Sequence, residues 1–377
     1  MNKIYLDNNS TTQLDPEILE SFLPFFSEKF GNPSSKTHSF GWEADAYVEE
    51  SRKKVSKLIN ANTNEIIFTS GATESNNIAL LSTFEFPKKM HFITMSTEHK
   101  AILDICRNLE KKGLNVSYIK PNKDGIVDID KIKKEIKNET KLISIMHANN
   151  EIGVIQPIED ISKLCIEKNI LFHVDAAQSL GKIEVDVKKI NADFISFSSH
   201  KIYGPKGIGC LYIKKNTKIN PITFGGNQER NLRPGTLPVP LIVAFGKACE
   251  IIHRKIKEES NNIFKLRKIL VNNILSEIPD TMINGNLTKR IPGNINFSFP
   301  SLNGQSIITC LPNIAISSGS ACTSSSPKPS YVLLELGLSK SLANSSIRIC
   351  IGRFNTINEI NIASNEIIKA IKLKSNL

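Results

Sequence analysis

The chain has 377 residues, with 48 lysines and arginines against 37 aspartates and glutamates, a formal net charge of +11, and 40% hydrophobic residues. That composition excludes a disordered polymer, and the length exceeds what one hydrophobic core usually organises, so two domains are expected. No apolar run reaches bilayer length, and the start MNKIYLDNNSTTQLD lacks the apolar core of a secretory signal, so a cytoplasmic location and no membrane partner are expected.

The pattern becomes regular from about Asn64. EIIFTSG reads as a strand closing in a glycine turn, and NNIALLSTF as the helix after it. HFITMS, NVSYIK, KLISIMHANN, LFHVDAAQ and DFISFSSHK are further strands, separated by helical stretches such as AILDICRNLEKKG and IEDISKLCIEKNI. Strands alternating with helices predict an α/β fold with a mostly parallel central sheet. After Gly235 a long helical stretch, PVPLIVAFGK to LSEI, is expected to break or kink near Glu258 to Asn262. NINFSF, AISSG and SSIRICIG then suggest a smaller α+β domain, on which the N-terminal segment is expected to pack. The expected division is a large domain over 15–257 and a small one made of 1–14 and 258–377.

The excess positive charge lies along amphipathic stretches such as KIKKEIKNETK, beside acids and without interleaved aromatics. It reads as a solvated surface with sites for anionic ligands, and no direct nucleic-acid contact is expected. The seven cysteines at 106, 165, 210, 249, 310, 322 and 350 are widely spaced and include no CxxC, so neither a disulfide framework nor a structural metal site is expected. Six fall in structural contexts. Cys322 does not: it sits among small polar residues in AISSGSACTSSSP. Either the loop is merely polar, or the thiol is there to be reached or moved.

Chemistry gathers at the strand ends, where open parallel sheets place their sites. Ser70, Gly71, Ala72 and Thr73 precede a helix and form a small-residue anion cradle, or a plain turn with Thr73 as helix cap. His99, Asn150, Asp175 and Gln178 follow at other strand ends. Ser198, His200 and Lys201 come next, and Lys201 is either a turn residue or a desolvated amine suited to a Schiff base. An aspartate, a lysine 26 residues later, a phosphate cradle and a histidine able to stack on a ring together suit pyridoxal 5'-phosphate.

The motifs YLDNNSTT, FTSGATESNN, TEHKA, HANNEIG, HVDAAQS, SFSSHKIYGPKG, LRPGTLPV, SSGSACTS and SSIRI run nearly end to end. In them the chain resembles the NifS/IscS-type cysteine desulfurases, pyridoxal-phosphate enzymes of the aspartate-aminotransferase fold. The resemblance implies that Lys201 carries the cofactor, Asp175 binds its pyridine nitrogen and His99 stacks on its ring, with His99 also a plausible acid or base for the thiol. It implies that Asn150 and Gln178 contact the ring side, and that Ala72, Thr73, Ser198 and His200 hold the phosphate. Thr236 would reach the phosphate of a second copy, which implies a homodimer. Arg348, with Asn150, would bind the substrate carboxylate. Cys322 would take sulfur from L-cysteine as a persulfide, leaving L-alanine. It would pass that sulfur to acceptor proteins such as an iron–sulfur scaffold or a tRNA-thiolation enzyme. The resemblance also allows Cys322 a transient contact with an iron–sulfur cluster.

The sequence departs from the family pattern at Asn227, where a third glycine is common, at Pro234 and at Ser199. Changes in the dimer-interface loop are expected from the first two. The chain also ends soon after GRF, short of the C-terminal region through which some relatives dock a scaffold. Rival readings are a selenocysteine lyase or another pyridoxal-phosphate β-lyase, an aminotransferase, and a non-enzymatic sulfur relay on the same fold.

Overall fold

The structure is a computed structural model describing residues 3–85, 89–300, 302–318 and 328–375. Cys322, Gly319 and the serines around the thiol from Ser320 to Ser326 lie outside the described residues. After β1 (Ile4–Tyr5), seven strands form the central sheet: β2 (Ile66–Thr69), β3 (His91–Met95), β4 (Asn115–Ile119), β5 (Thr140–Met146), β6 (Leu171–Asp175), β7 (Phe194–Ser198) and β8 (Gly209–Ile213). Their order is β2-β8-β7-β6-β5-β3-β4, and β8 alone runs antiparallel to its neighbours. Both faces of this sheet are covered, so its strands are apolar on both sides. In β2, Ile66 and Phe68 enter one core while Ile67 enters another on the opposite face. In β5, Ile143 and Ile145 face the first and Leu142 the second.

A further core gathers Ile4 and Leu6 with the C-terminal elements. There β9 (Met282–Ile283), β10 (Asn294–Ser298) and β12 (Ser346–Cys350) make an antiparallel sheet, and β11 (Ile314–Ala315) pairs in parallel with β1. The N-terminal strand therefore belongs to the C-terminal core, while Thr12 already bonds to His200 across the boundary.

The long helix is one uninterrupted element over Val239–Glu277, 39 residues, which corrects the break expected near Glu258 to Asn262. Residues 258–262 contain no proline or glycine, so no backbone hydrogen bond is removed and no kink is forced. Phe245 and Ile252 fill the first core and Leu270 and Ile274 the C-terminal one, so this rod of ~60 Å joins the two. Thr73 does not cap the helix Ala72–Leu81. Gly71 occupies the cap position with φ 151, a conformation that favours glycine, and leaves the helix end without a side-chain cap.

The loop that carries Thr236 is held by a buried ion pair. Arg52 Nη2 and Nη1 donate to the two carboxylate oxygens of Glu229 at 2.7 and 2.9 Å, and Glu229 also accepts the Phe68 amide at 2.6 Å. Glu229, Arg230 and Asn231 all have positive φ, which costs on the order of 1 kcal/mol each. Asn227, by contrast, has φ −101, so no glycine is needed there. Replacing Arg52 by Met leaves the Glu229 carboxylate buried and unpaired. Arg52→Met is expected to lower stability by about 3–5 kcal/mol, read as a lower denaturant midpoint at unchanged slope.

Candidate active site

The carboxyl ends of β2, β3, β5, β6 and β7 converge on a cavity of about 500 Å3. It is lined by Ala72, Thr73, His99 and Asn150, by Asp175, Gln178, Ser198 and His200, and by Lys201 and Arg348. Convergence follows from topology: parallel strands bring their following loops to one edge. Thr236 is exposed and lies outside this wall.

Each side chain is held by a local cause. Asp175 ends β6, where Oδ2 accepts from Asn76 Nδ2 at 2.8 Å and Oδ1 accepts the Ala177 amide at 3.0 Å. Its charge is thereby fixed at the cavity edge. His99 caps the helix Lys100–Glu110, with Nδ1 accepting the Ala101 amide at 3.1 Å. A ring nitrogen that accepts carries no proton, so in the neutral ring the proton sits on Nε2. His200 Nδ1 lies 3.1 Å from Thr11 Oγ1. Burial, and then the cations Lys201, Lys206 and Lys182, push its imidazole down to about 4, so it faces an anion as a neutral hydrogen-bonding group. Ser199 fits against Gly204, where an added Cβ would stand 2.0 Å from Ser199 Oγ.

The N-terminal segment closes the other side. Lys201 Nζ donates to the carbonyls of Asn9 and Ser10, each at 2.6 Å. Arg348, in β12, is 3% exposed. Its Nη2 donates to Asp7 Oδ1 and to Ser10 Oγ, each at 2.7 Å, and its Nη1 donates to the Asn150 carbonyl at 3.1 Å. Sequence reading missed Asp7, Asn9, Ser10, Asn76 and Lys206 as site residues. The first three stand in YLDNNSTT, a run of polar residues following the buried Leu6, which was the available signal.

Among the described residues, Arg348 Nε and Asn150 Oδ1 are buried without a partner, although both side chains line the cavity. Gly71 starts the helix without a side-chain cap; its own amide donates to Thr69 Oγ1 at 3.4 Å and the Ser70 amide to the Glu74 carboxylate, and a Cβ at Gly71 would stand 3.5 Å from Ser198 Oγ. A strand-end carboxylate, a primary amine and an open helix N-terminus in one cavity fit a pyridine ring bearing an aldehyde and a phosphate. The class so defined is a pyridoxal-phosphate-dependent enzyme with an aspartate-aminotransferase-like α/β fold.

The chain belongs to the aminotransferase class-V family, whose profile matches residues 4–362. A cysteine desulfurase IscS of Rickettsia massiliae is 48% identical over 372 residues, covering 98% of this chain and 91% of that protein. A mitosomal cysteine desulfurase of Encephalitozoon cuniculi is 50% identical over 376 residues, covering 98% of this chain and 87% of that protein. A solved structure described as a NifS-like protein is 37% identical with a TM-score of 0.91, each chain being covered in full. A second, SspA in complex with cysteine, is 36% identical with a TM-score of 0.83, covering 94% of this chain and 100% of that one. Among the described residues no helix is long and apolar enough to cross a membrane, and no cluster of three metal-ligating side chains occurs.

Glu151, beside Asn150, is buried and accepts from Ser330 Oγ. Burial raises its carboxyl from 4.5 to about 7, against the opposing pull of Ser330, Arg348, His99 and Lys100. A carboxyl raised in the folded state contributes stability that is complete below pH 4.5 and is lost as pH rises through about 7. Glu151→Gln is expected to remove this component, about 3 kcal/mol between those limits, and to flatten unfolding free energy measured against pH.

Proposed function

We propose that this pyridoxal-phosphate-dependent cysteine desulfurase takes sulfur from L-cysteine through the combined work of Lys201, Arg348, His99 and Cys322. The observation that carries this reading is the cavity shared by Lys201, Asp175 and Arg348. Asp175 would pair with the pyridine nitrogen, His99 would stack on the ring, and Asn150 and Gln178 would touch its side. Ala72, Thr73, Ser198 and His200 would hold the phosphate. The cofactor, when bound, supplies a store for the electron pair released at the substrate α-carbon.

Arg348 holds the substrate carboxylate. Asp7 and Ser10 fix the guanidinium through Nη2, and the Asn150 carbonyl holds Nη1, so the planar fork is oriented at the cavity wall. Lys201 Nζ, once free of the cofactor, takes the α-proton. His99 moves the thiol proton through Nε2. The Cys322 thiolate attacks the substrate sulfur. A sulfur–sulfur bond forms, the carbon–sulfur bond breaks, and its electron pair stays on carbon, which takes a proton and becomes the methyl group of alanine. The sulfur is oxidised and the carbon reduced by the same pair, so no outside oxidant is needed.

Thr236 is exposed on a loop apart from the cavity of its own chain, which supports a homodimer in which it serves the phosphate of a second copy. The two domains are proposed as 15–257 and 1–14 with 258–377; separate cores at the two ends of the long helix support this, while Ile152 and Val154 also pack with Val332 and Leu333 across the proposed boundary. Acceptors for iron–sulfur cluster assembly and tRNA thiolation, in the cytoplasm, complete the reading.

The test is alanine and sulfide release from L-cysteine with dithiothreitol. Wild type is expected to give both in equal amounts, whereas Cys322→Ser keeps the yellow colour of the bound cofactor and gives neither. Sulfide release by Cys322→Ser at the wild-type rate would instead make the protein a lyase that needs no thiol carrier. In the same assay, Arg348→Lys loses the planar fork that can grip a carboxylate, so its KM for L-cysteine is expected to rise roughly tenfold or more.

A further inference from the structure

A second amine enters the site from behind. Lys182 is half-buried as a residue and borders a surface groove together with Ser260. Its Nζ turns inward, donating to Gln178 Oε1 at 2.7 Å and to Asn9 Oδ1 at 3.1 Å. Among the described residues it has no acidic partner. The ionisable groups that face it are Lys201, Cys350 and Arg348, and burial first, then Lys201, draws its ammonium down to about 7. A buried ammonium without a counter-ion is costly, so its placement calls for a cause.

The cause lies in its two acceptors. A glutamine amide is nearly symmetric in shape and can turn either its oxygen or its NH2 toward a ligand. An ammonium only donates, so Lys182 accepts no orientation of Gln178 but the one with Oε1 toward itself. The opposite end, Nε2, then donates to the Asn9 carbonyl at 2.8 Å, the same oxygen that receives Lys201 Nζ at 2.6 Å. Asn9 is held in turn, because its Nδ2 donates to the Asn150 carbonyl at 3.2 Å. The pyridoxal ring carries a phenolate oxygen next to its aldehyde, and that anion needs an N–H donor rather than a carbonyl.

We propose that Lys182 is a positioning residue of the cofactor site. It locks the Gln178 amide with its NH2 on the cavity side, and it sets a positive charge beside the phenolate oxygen and the lysine nitrogen that carries the cofactor. This rests on the cofactor roles proposed above for Gln178 and Lys201. Lys182 touches no reacting atom; it acts through Gln178 and through its charge.

The experiment compares holoenzymes of wild type, Lys182→Met and Lys182→Gln. It reads the dissociation constant of pyridoxal phosphate after reconstitution, the pH midpoint of the cofactor's visible band, and the melting temperature. Lys182→Met loses both donor and charge, so its cofactor affinity is expected to fall about tenfold. Its band midpoint is expected to rise by about half a unit or more, since a nearby cation no longer opposes protonation of the Lys201 nitrogen. Lys182→Gln keeps a donor for Gln178 without the charge, so its affinity stays near wild type while its midpoint rises equally. A purely structural lysine would lower the melting temperature and leave the midpoint in place. Folded variants with wild-type affinity and midpoint overturn the proposal. If Lys182→Met does not fold, the midpoint of Lys182→Gln decides alone, and an unchanged value overturns it. A wild-type protein with no visible band after reconstitution would overturn the cofactor reading itself, which separates the two failures.

Discussion

Six residues near the N-terminus, Asp7 to Thr12, are the constraint on which the site depends. They run from the C-terminal core into the cavity of the central sheet. Asp7 grips Arg348, the carbonyls of Asn9 and Ser10 receive Lys201, and Thr12 bonds to His200. A parallel sheet alone leaves an open edge with loops around it. This segment turns that edge into an enclosed place where an arginine from one core and a lysine from the other face the same small volume. Without it Arg348 would lose its carboxylate partner and Lys201 the two carbonyls that receive its Nζ, and buried charge without partners is unstable.

The same junction is braced from outside. The unbroken helix Val239–Glu277 is shared by both cores, so the angle between them is set by one rigid rod. Arg353, in the middle of the C-terminal GRF motif, reaches Asp15 at 2.6 Å and Glu259 on that helix at 3.0 Å, and its guanidinium lies 4.1 Å from the centre of the Tyr203 ring. Ser330 and Tyr331, just after the Cys322 segment, bond to Glu151 and to the Glu98 carbonyl. Ser317, just before it, pairs with Arg348. Both flanks of the thiol segment are therefore tied to residues that line or adjoin the cavity.

Electrostatics in the site follows one tendency: burial disfavours charge wherever no opposite charge stands close. His200 is drawn down to about 4 by burial and so favours its neutral form near neutrality, whereas Glu151, drawn up, and Lys182, drawn down, each reach about 7. Arg348 cannot give up its proton, so it takes Asp7 as partner at 2.7 Å. The groups left to meet a charged ligand are those with fixed charge or open donors.

The alternation of apolar strands and amphipathic helices, the strand-end placement of Asp175 and Lys201, and the small-residue cradle at Gly71 were legible in the sequence. They are local: periodicity marks a strand, and a strand's end marks where its loop begins. The long helix was misread at residues 258–262 because five polar residues look like a break when their partners are unknown. Only packing supplied those partners, such as the Lys182 carbonyl that accepts from Ser260 Oγ at 2.7 Å. Likewise Asp7 and Arg348 are separated by 341 positions, and Lys182 lies close to Lys201 in space with no short motif joining them. The sequence by itself determined which chemical groups this protein owns and the elements that carry them. The tertiary structure alone decided which of those groups share a buried volume, because pairing and loss of water depend on distances between segments that no local pattern encodes.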